Sequence, residues 1–168
     1  MPPPKDMDVL LKVEHVDAMI SPQQPNIPVI VLTLEDGRNF TLYYVPYEIV
    51  LAINKINSAE EGQPIISPNQ RESIFEVFLD FRDVLEPLSK QLLRVVINEI
   101  DYNTMLYTAT VEFDLGGIIM RRKMIPSHAI YLALLLRKPI YVSKRLVDEQ
   151  ERFQRSEEDE EEEEDIKP

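Results

Sequence analysis

Leu93-Arg94-Val95-Val96-Ile97-Asn98-Glu99-Ile100 is followed by Asp101-Tyr102-Asn103-Thr104, and then by Met105 to Phe113. Asp114-Leu115-Gly116-Gly117 next leads into Ile118-Ile119-Met120-Arg121-Arg122-Lys123-Met124. Runs rich in β-branched and apolar residues, separated by short polar turns, read as a hairpin continued into a third strand. Upstream the same grammar recurs. Pro28 to Leu34 is β-branched and apolar, Glu35-Asp36-Gly37-Arg38 is a turn with glycine where positive φ is expected, and Phe40 to Val45 returns as the second arm. Before it, Val9, Leu11 and Val13 alternate with Leu10, Lys12 and Glu14, the period of a strand.

Helices separate these blocks. Ile49, Ile53 and Ile56 recur at helical spacing over Tyr47 to Asn57, with Pro46 suited to the first turn. Asn69 with Glu72 resembles a capping box for a helix carrying Ile74, Phe75, Phe78, Leu79 and Leu85 and ending near Pro87. Ser127 is placed to cap an apolar helix over Ala129 to Leu136, stopped by Pro139. Ile140 to Val142 is a short strand, and Ser143 caps a last helix reaching about Arg155. The order β-ββ-α-α-βββ-α-β-α predicts an α+β fold with a mostly antiparallel sheet and packed helices, not a parallel βαβ nucleotide-binding fold. No internal repeat accompanies it.

Of 168 residues, 44% are hydrophobic, enough for one core. There is no cysteine, which excludes disulfides, thiolate metal sites and a cysteine nucleophile. Two histidines, His15 and His128, cannot build a histidine-rich metal site. Four glycines beside thirteen prolines suggest stiff connections. No apolar run approaches the ~20 residues of a membrane helix. Met1-Pro2-Pro3-Pro4-Lys5-Asp6 lacks the apolar stretch of a secretory signal, so the expected location is the cytoplasm and no membrane partner is expected.

The formal net charge is −12, and much of it is local. Glu157 to Asp165 is nine consecutive acids, with nothing apolar to bury. The division expected is a flexible N-terminus over residues 1–7, one domain over 8–155 and a disordered acidic tail over 156–168. Against that background Arg121-Arg122-Lys123 is the densest basic cluster, directly before the Pro126-Ser127 helix start. Cations beside a helix N-terminus, with its free N–H groups, are the combination that takes phosphate. The competing reading is a solvated edge strand, where cations discourage aggregation. His128 is a candidate for proton transfer beside such a phosphate or simply a first-turn histidine. Glu48 opens the Tyr47 helix, where the helix dipole alone would favour a carboxylate.

Pro28-Val29-Ile30-Val31-Leu32, Glu35-Asp36-Gly37-Arg38 and Leu42-Tyr43-Tyr44-Val45-Pro46-Tyr47-Glu48 resemble the opening of the bifunctional nuclease domain family. Arg94-Val95-Val96-Ile97 and Asn103-Thr104 with Tyr107 resemble its central hairpin. Pro126-Ser127-His128-Ala129-Ile130-Tyr131-Leu132-Ala133-Leu134, followed by Pro139-Ile140-Tyr141-Val142-Ser143, resembles its most specific block. The likeness spans about residues 8–150. It implies a compact α+β domain, in a family whose members are described as nucleases acting on RNA and DNA. A nuclease of this kind would contact phosphates through Arg121, Arg122, Lys123 and Ser127, with His128 the proton-transfer candidate, Glu48 a candidate metal or base residue, and the cofactor open, a divalent metal being the candidate.

This chain departs from the family at the same block. Lys123-Met124-Ile125 stands where the family carries Asp-Ala-Arg, and His128 stands where it carries Asp. Metal-assisted phosphodiester hydrolysis commonly needs carboxylates to hold the ion, so these replacements count against cleavage. The alternative expectation is a non-catalytic homo-oligomeric scaffold or regulatory module, in its simplest form a dimer.

Overall fold

The computed structural model describes residues 8–63 and 71–166. It is α+β. Seven strands form one sheet: β1 (Leu10–Ile20), β2 (Pro28–Leu34), β3 (Asn39–Tyr43), β4 (Leu92–Asp101), β5 (Leu106–Asp114), β6 (Ile119–Met124) and β7 (Ile140–Ser143). The order is β3-β2-β1-β7-β4-β5-β6. All neighbours are antiparallel except β4 and β7. The helices are α1 (Tyr47–Glu60), α2 (Ile74–Val77), α3 (Glu86–Gln91), α4 (Pro126–Leu136) and α5 (Lys144–Ile166).

β1 is longer than its alternation suggests. Leu10 to Lys12 pair with β7, while Val13 to Ile20 pair with β2, and a bulge falls between Val13 and His15. A bulge breaks the period of two and bends the strand. That lets β1 serve both neighbours and hides its second half from a pattern search.

The sheet curls. β3 and β5 are five strand spacings apart, about 24 Å if the sheet were flat. Yet Phe40 of β3 meets Tyr107 of β5 edge-to-face with ring centroids 5.0 Å apart. α5 fills the mouth of this curl. The Gln150 amide donates to the Thr41 carbonyl at 2.8 Å and accepts from the Thr41 N–H at 2.8 Å, standing in for a strand along the outer edge of β3. Arg38 at the β2–β3 turn adds ion pairs to Asp148 at 2.7 Å and Glu151 at 2.9 Å.

α1 and α4 supply the helical side of the core. Ile49, Ile53 and Ile56 of α1 and Ile130, Ala133 and Leu135 of α4 are buried against β1, β2, β4 and β5. Pro46 precedes α1 as its N-cap instead of lying in its first turn. Leu134 packs only at the core margin, although its segment is apolar throughout.

Three expectations need correction. The helix expected to run from Ile74 to Pro87 is broken into α2, a 3₁₀ turn over Phe78–Phe81 and α3. Pro87 lies in the first turn of α3, where its missing N–H costs nothing, so it opens a helix and does not close one. Asn69 lies outside the described residues. α2 is instead preceded by Ser73, whose N–H donates to the Glu76 carboxylate at 3.1 Å.

The last correction is the tail expected to be disordered: α5 continues through it to Ile166. Glutamate is a good helix former, and α5 is already nucleated by its packed beginning, where Leu146, Val147 and Gln150 are buried. Every described residue beyond Arg152 is exposed.

Two outcomes follow from this packing. Ile130→Ala should cost about 2–5 kcal/mol in urea denaturation and Leu134→Ala distinctly less, because only the first vacates a fully buried site. Truncation after Ser156 should leave the thermal midpoint nearly unchanged while lowering helical circular dichroism. In the full chain that tail contribution should rise with salt, which screens the repulsion between like charges at i and i+4.

Candidate nucleic-acid interface

β6 is an edge strand, and its register separates the basic cluster. Arg121 lies opposite Glu112, Arg122 opposite Val111 and Lys123 opposite Thr110. Side chains alternate across a strand, so Arg121 and Lys123 share one face and Arg122 takes the other. The three cations of the sequence are therefore not one patch.

The face of Arg121 and Lys123 is a ladder of ion pairs. Glu112 accepts from Arg94 at 2.9 and 3.2 Å and from Arg121 at 3.4 Å. Lys123 reaches Glu99 at 3.1 Å. Thr110 donates to the Asn98 side-chain oxygen at 3.1 Å, and the Arg145 guanidinium donates to the Asn98 carbonyl at 3.3 Å. The Arg94 guanidinium stands 5.8 Å from the Tyr141 ring centroid, within cation–π reach. Asp8, Leu10, Arg94, Val96, Asn98, Glu99, Thr110, Glu112, Arg121 and Lys123 line an open groove of about 460 Å³.

Glu112 is the pivot. Hydrogen bonds from Arg94, outweighing its burial, hold its carboxyl below the usual carboxylate value of 4.5, and the same contact raises Arg94. Arg121 and Lys123 keep 63% and 66% of their side chains exposed, so pairing leaves both open to an incoming anion. Arg94, Arg121 and Lys123 are balanced in number by the carboxylates of Asp8, Glu99 and Glu112.

The other expected site residues lie elsewhere. α4 starts at Pro126 with Ile125 as its N-cap, so Ser127 sits inside the first turn, 3% exposed, and is no cap. His128 is half-buried, its ring edge-to-face with Phe75 at 5.5 Å. Phe75 also packs on Tyr131 at 5.1 Å, and the Tyr131 hydroxyl donates to the Phe75 carbonyl at 2.6 Å. Glu48 is exposed in the first turn of α1. Among the described residues no hydrogen bond, ion pair or ring contact links Glu48, His128 and the basic strand. Among the described residues no group of three or more His, Asp or Glu is placed to hold a metal ion.

Reading the cluster as consecutive bases missed Arg94, Glu99, Glu112 and Tyr141. Alternation alone would have split Arg122 from its neighbours. The pairing of Glu112 with two arginines depends on strand register, which no local pattern specifies.

No protein-family model matches the chain, and no curated protein matches its sequence. Among the described residues no helix is long and apolar enough to cross a membrane.

Glu112→Gln should lower stability at neutral pH. A carboxylate whose folded value is depressed contributes stability above its unfolded value, and loses it as the pH falls through the folded one. The difference between wild type and Glu112→Gln, followed by urea denaturation against pH, should therefore shrink below pH 4.5. A constant difference at all pH values would assign the effect to packing.

Proposed function

We propose that this chain is a nuclease-like domain that contacts RNA or DNA phosphates along the β4–β5–β6 groove and does not cleave them. The observation that carries the reading is the alignment of Arg94, Arg121 and Lys123 along one groove, with the Tyr141 ring beneath Arg94. Glu112 and Glu99 hold these cations in extended positions, so less ordering is required when an anion arrives. Phosphates exchange with the carboxylates as partners of the cations.

Cleavage is disfavoured by the residues present. The carboxylates that the resemblance calls for are replaced by Lys123 and His128, and His128 is engaged with Phe75 away from the groove. The groove's own glutamates are committed to arginine and lysine.

The test is mobility and anisotropy of labelled single-stranded RNA and DNA with the full chain. Three phosphate contacts predict a log–log salt slope of about −2, at ~0.7 per contact. Arg121→Glu with Lys123→Glu should abolish binding, whereas Arg122→Glu should weaken it far less, because Arg122 is on the opposite face. Product analysis with Mg²⁺ or Mn²⁺ should show intact strands. No retention at low salt would sink the reading.

A second reading, a homo-oligomeric scaffold, is favoured by one observation. Ile74, Val77, Phe78, Phe81 and Val84 form an exposed apolar row on the segment between α1 and α3. Sedimentation of the full chain decides it: a dimer that dissociates on Phe78→Asp with Phe81→Asp supports the scaffold.

A further inference from the structure

The two edges of the sheet are finished differently. On β3 the Gln150 side chain occupies both the N–H and the carbonyl of Thr41. On β6, among the described residues, no group outside the β5 ladder hydrogen-bonds the backbone of the strand. Four of its six residues are exposed. An edge of this kind displays a row of unpaired N–H and carbonyl groups, a template for one more strand.

The side chains of β6 indicate which strand fits. A second copy of β6 laid antiparallel about Arg122 would set Arg122 against Arg122 and Arg121 against Lys123. Like charges directly opposite are destabilising. The cations therefore work against self-pairing. They favour a strand that brings carboxylates opposite Arg121 and Lys123, whose side chains remain well exposed beyond Glu112 and Glu99.

The other face of β6 carries Met120 and Met124, both half-buried, with exposed Arg122 between them, and Met124 packs against the core. Exposed Ile119 and Ile125 flank the basic stretch. An incoming strand would meet three successive cations at its centre, on alternate faces, and apolar side chains on either side of them. The complementary sequence thus has an acidic centre and apolar flanks.

We infer that the β6 edge is a strand-addition site for an extended partner segment with an acidic centre and apolar flanks. Backbone hydrogen bonds supply the affinity and the central carboxylates supply the specificity, as in other strand-addition complexes. This inference stands apart from the nucleic-acid reading, although the two ligands would share Arg121 and Lys123.

The probe is a fluorescein-labelled peptide with three central glutamates flanked by valines, long enough to span β6, titrated into the full chain. One control replaces glutamate with lysine, and a second carries methylated backbone nitrogens. The parent peptide should bind saturably at low salt, keep weaker binding at high salt and slow amide exchange within residues 119–124. Both controls should bind at least about tenfold more weakly, and so should the parent peptide to Arg121→Glu with Lys123→Glu, which turns each attraction into a repulsion. Circular dichroism of that variant confirms that it is folded.

Equal binding of parent and methylated peptides would overturn the inference, since attraction by charge alone needs no strand. Unchanged exchange at residues 119–124 would also overturn it. So would protection of these residues without peptide in a dimer, since a second copy would then occupy the edge. RNA retention without peptide binding would defeat this inference and leave the nucleic-acid reading standing.

Discussion

The four residues of β7 hold the sheet together. Ile140 to Val142 pair in parallel with Val95 to Ile97 of β4, while Tyr141 to Ser143 pair antiparallel with Lys12 to Leu10 of β1. Without β7 the sheet would be two separate three-stranded pieces, β3-β2-β1 and β4-β5-β6. A parallel pairing requires a long crossover, here made of β5, β6 and α4. The same strand fixes the end of α4 and the start of α5. Val142 and Ser143 are fully buried, as such a joint demands.

That joint also explains the groove. Tyr141 is on the β7 strand between Lys12 and Val96, and so it reaches the Arg94 guanidinium from the strand next to β4. Arg94 is in turn held by Glu112 from β5, and Glu112 holds Arg121 from β6. Four neighbouring strands each contribute one member of a chain of polar contacts. A surface ion pair alone is worth little, but a partly buried carboxylate shared by two arginines fixes their direction. Glu112 has only 12% of its side chain exposed, which sets it apart from the looser pairs at the rim.

Much of the fold was legible because its hairpins are punctuated by glycine, proline and polar turns. Leu34 to Arg38 closes as read, with the Gly37 N–H donating to the Leu34 carbonyl and Gly37 at φ +87°, where a side chain would be strained. What escaped was everything decided by context. The bulge after Val13 interrupts the alternation of β1. Pro87 has the same local signature whether it ends one helix or begins the next, and only packing on α4 and β4 decides. The acidic run obeys two opposed rules, repulsion and helix propensity, and inherits a helix already begun at Lys144. In the site, the chemistry of Arg121, Arg122 and Lys123 was visible, but their division between faces requires the period of two to be applied to them. His128 lies on Phe75, fifty-three positions away, a contact that no local spacing encodes.

The contrast between the two sheet edges shows what the acidic helix is for structurally. An edge must be covered, charged or bent to keep the protein from adding strands at random. At β3 covering was chosen, and it needed a helix long enough to reach from Arg38 to Tyr43, contacted by Asp148 and Gln154 respectively. At β6 the edge is uncovered and charged instead, with cations in a chain whose net charge is −12. In an acidic protein, acidic side chains would have protected an edge equally well against a second copy. Cations do something that carboxylates would not: they repel their own kind while attracting the opposite charge. The sign of the charge on β6 therefore makes the edge selective as well as protected, and it does so beside the groove that Arg94 of β4 shares with Arg121 and Lys123 of β6.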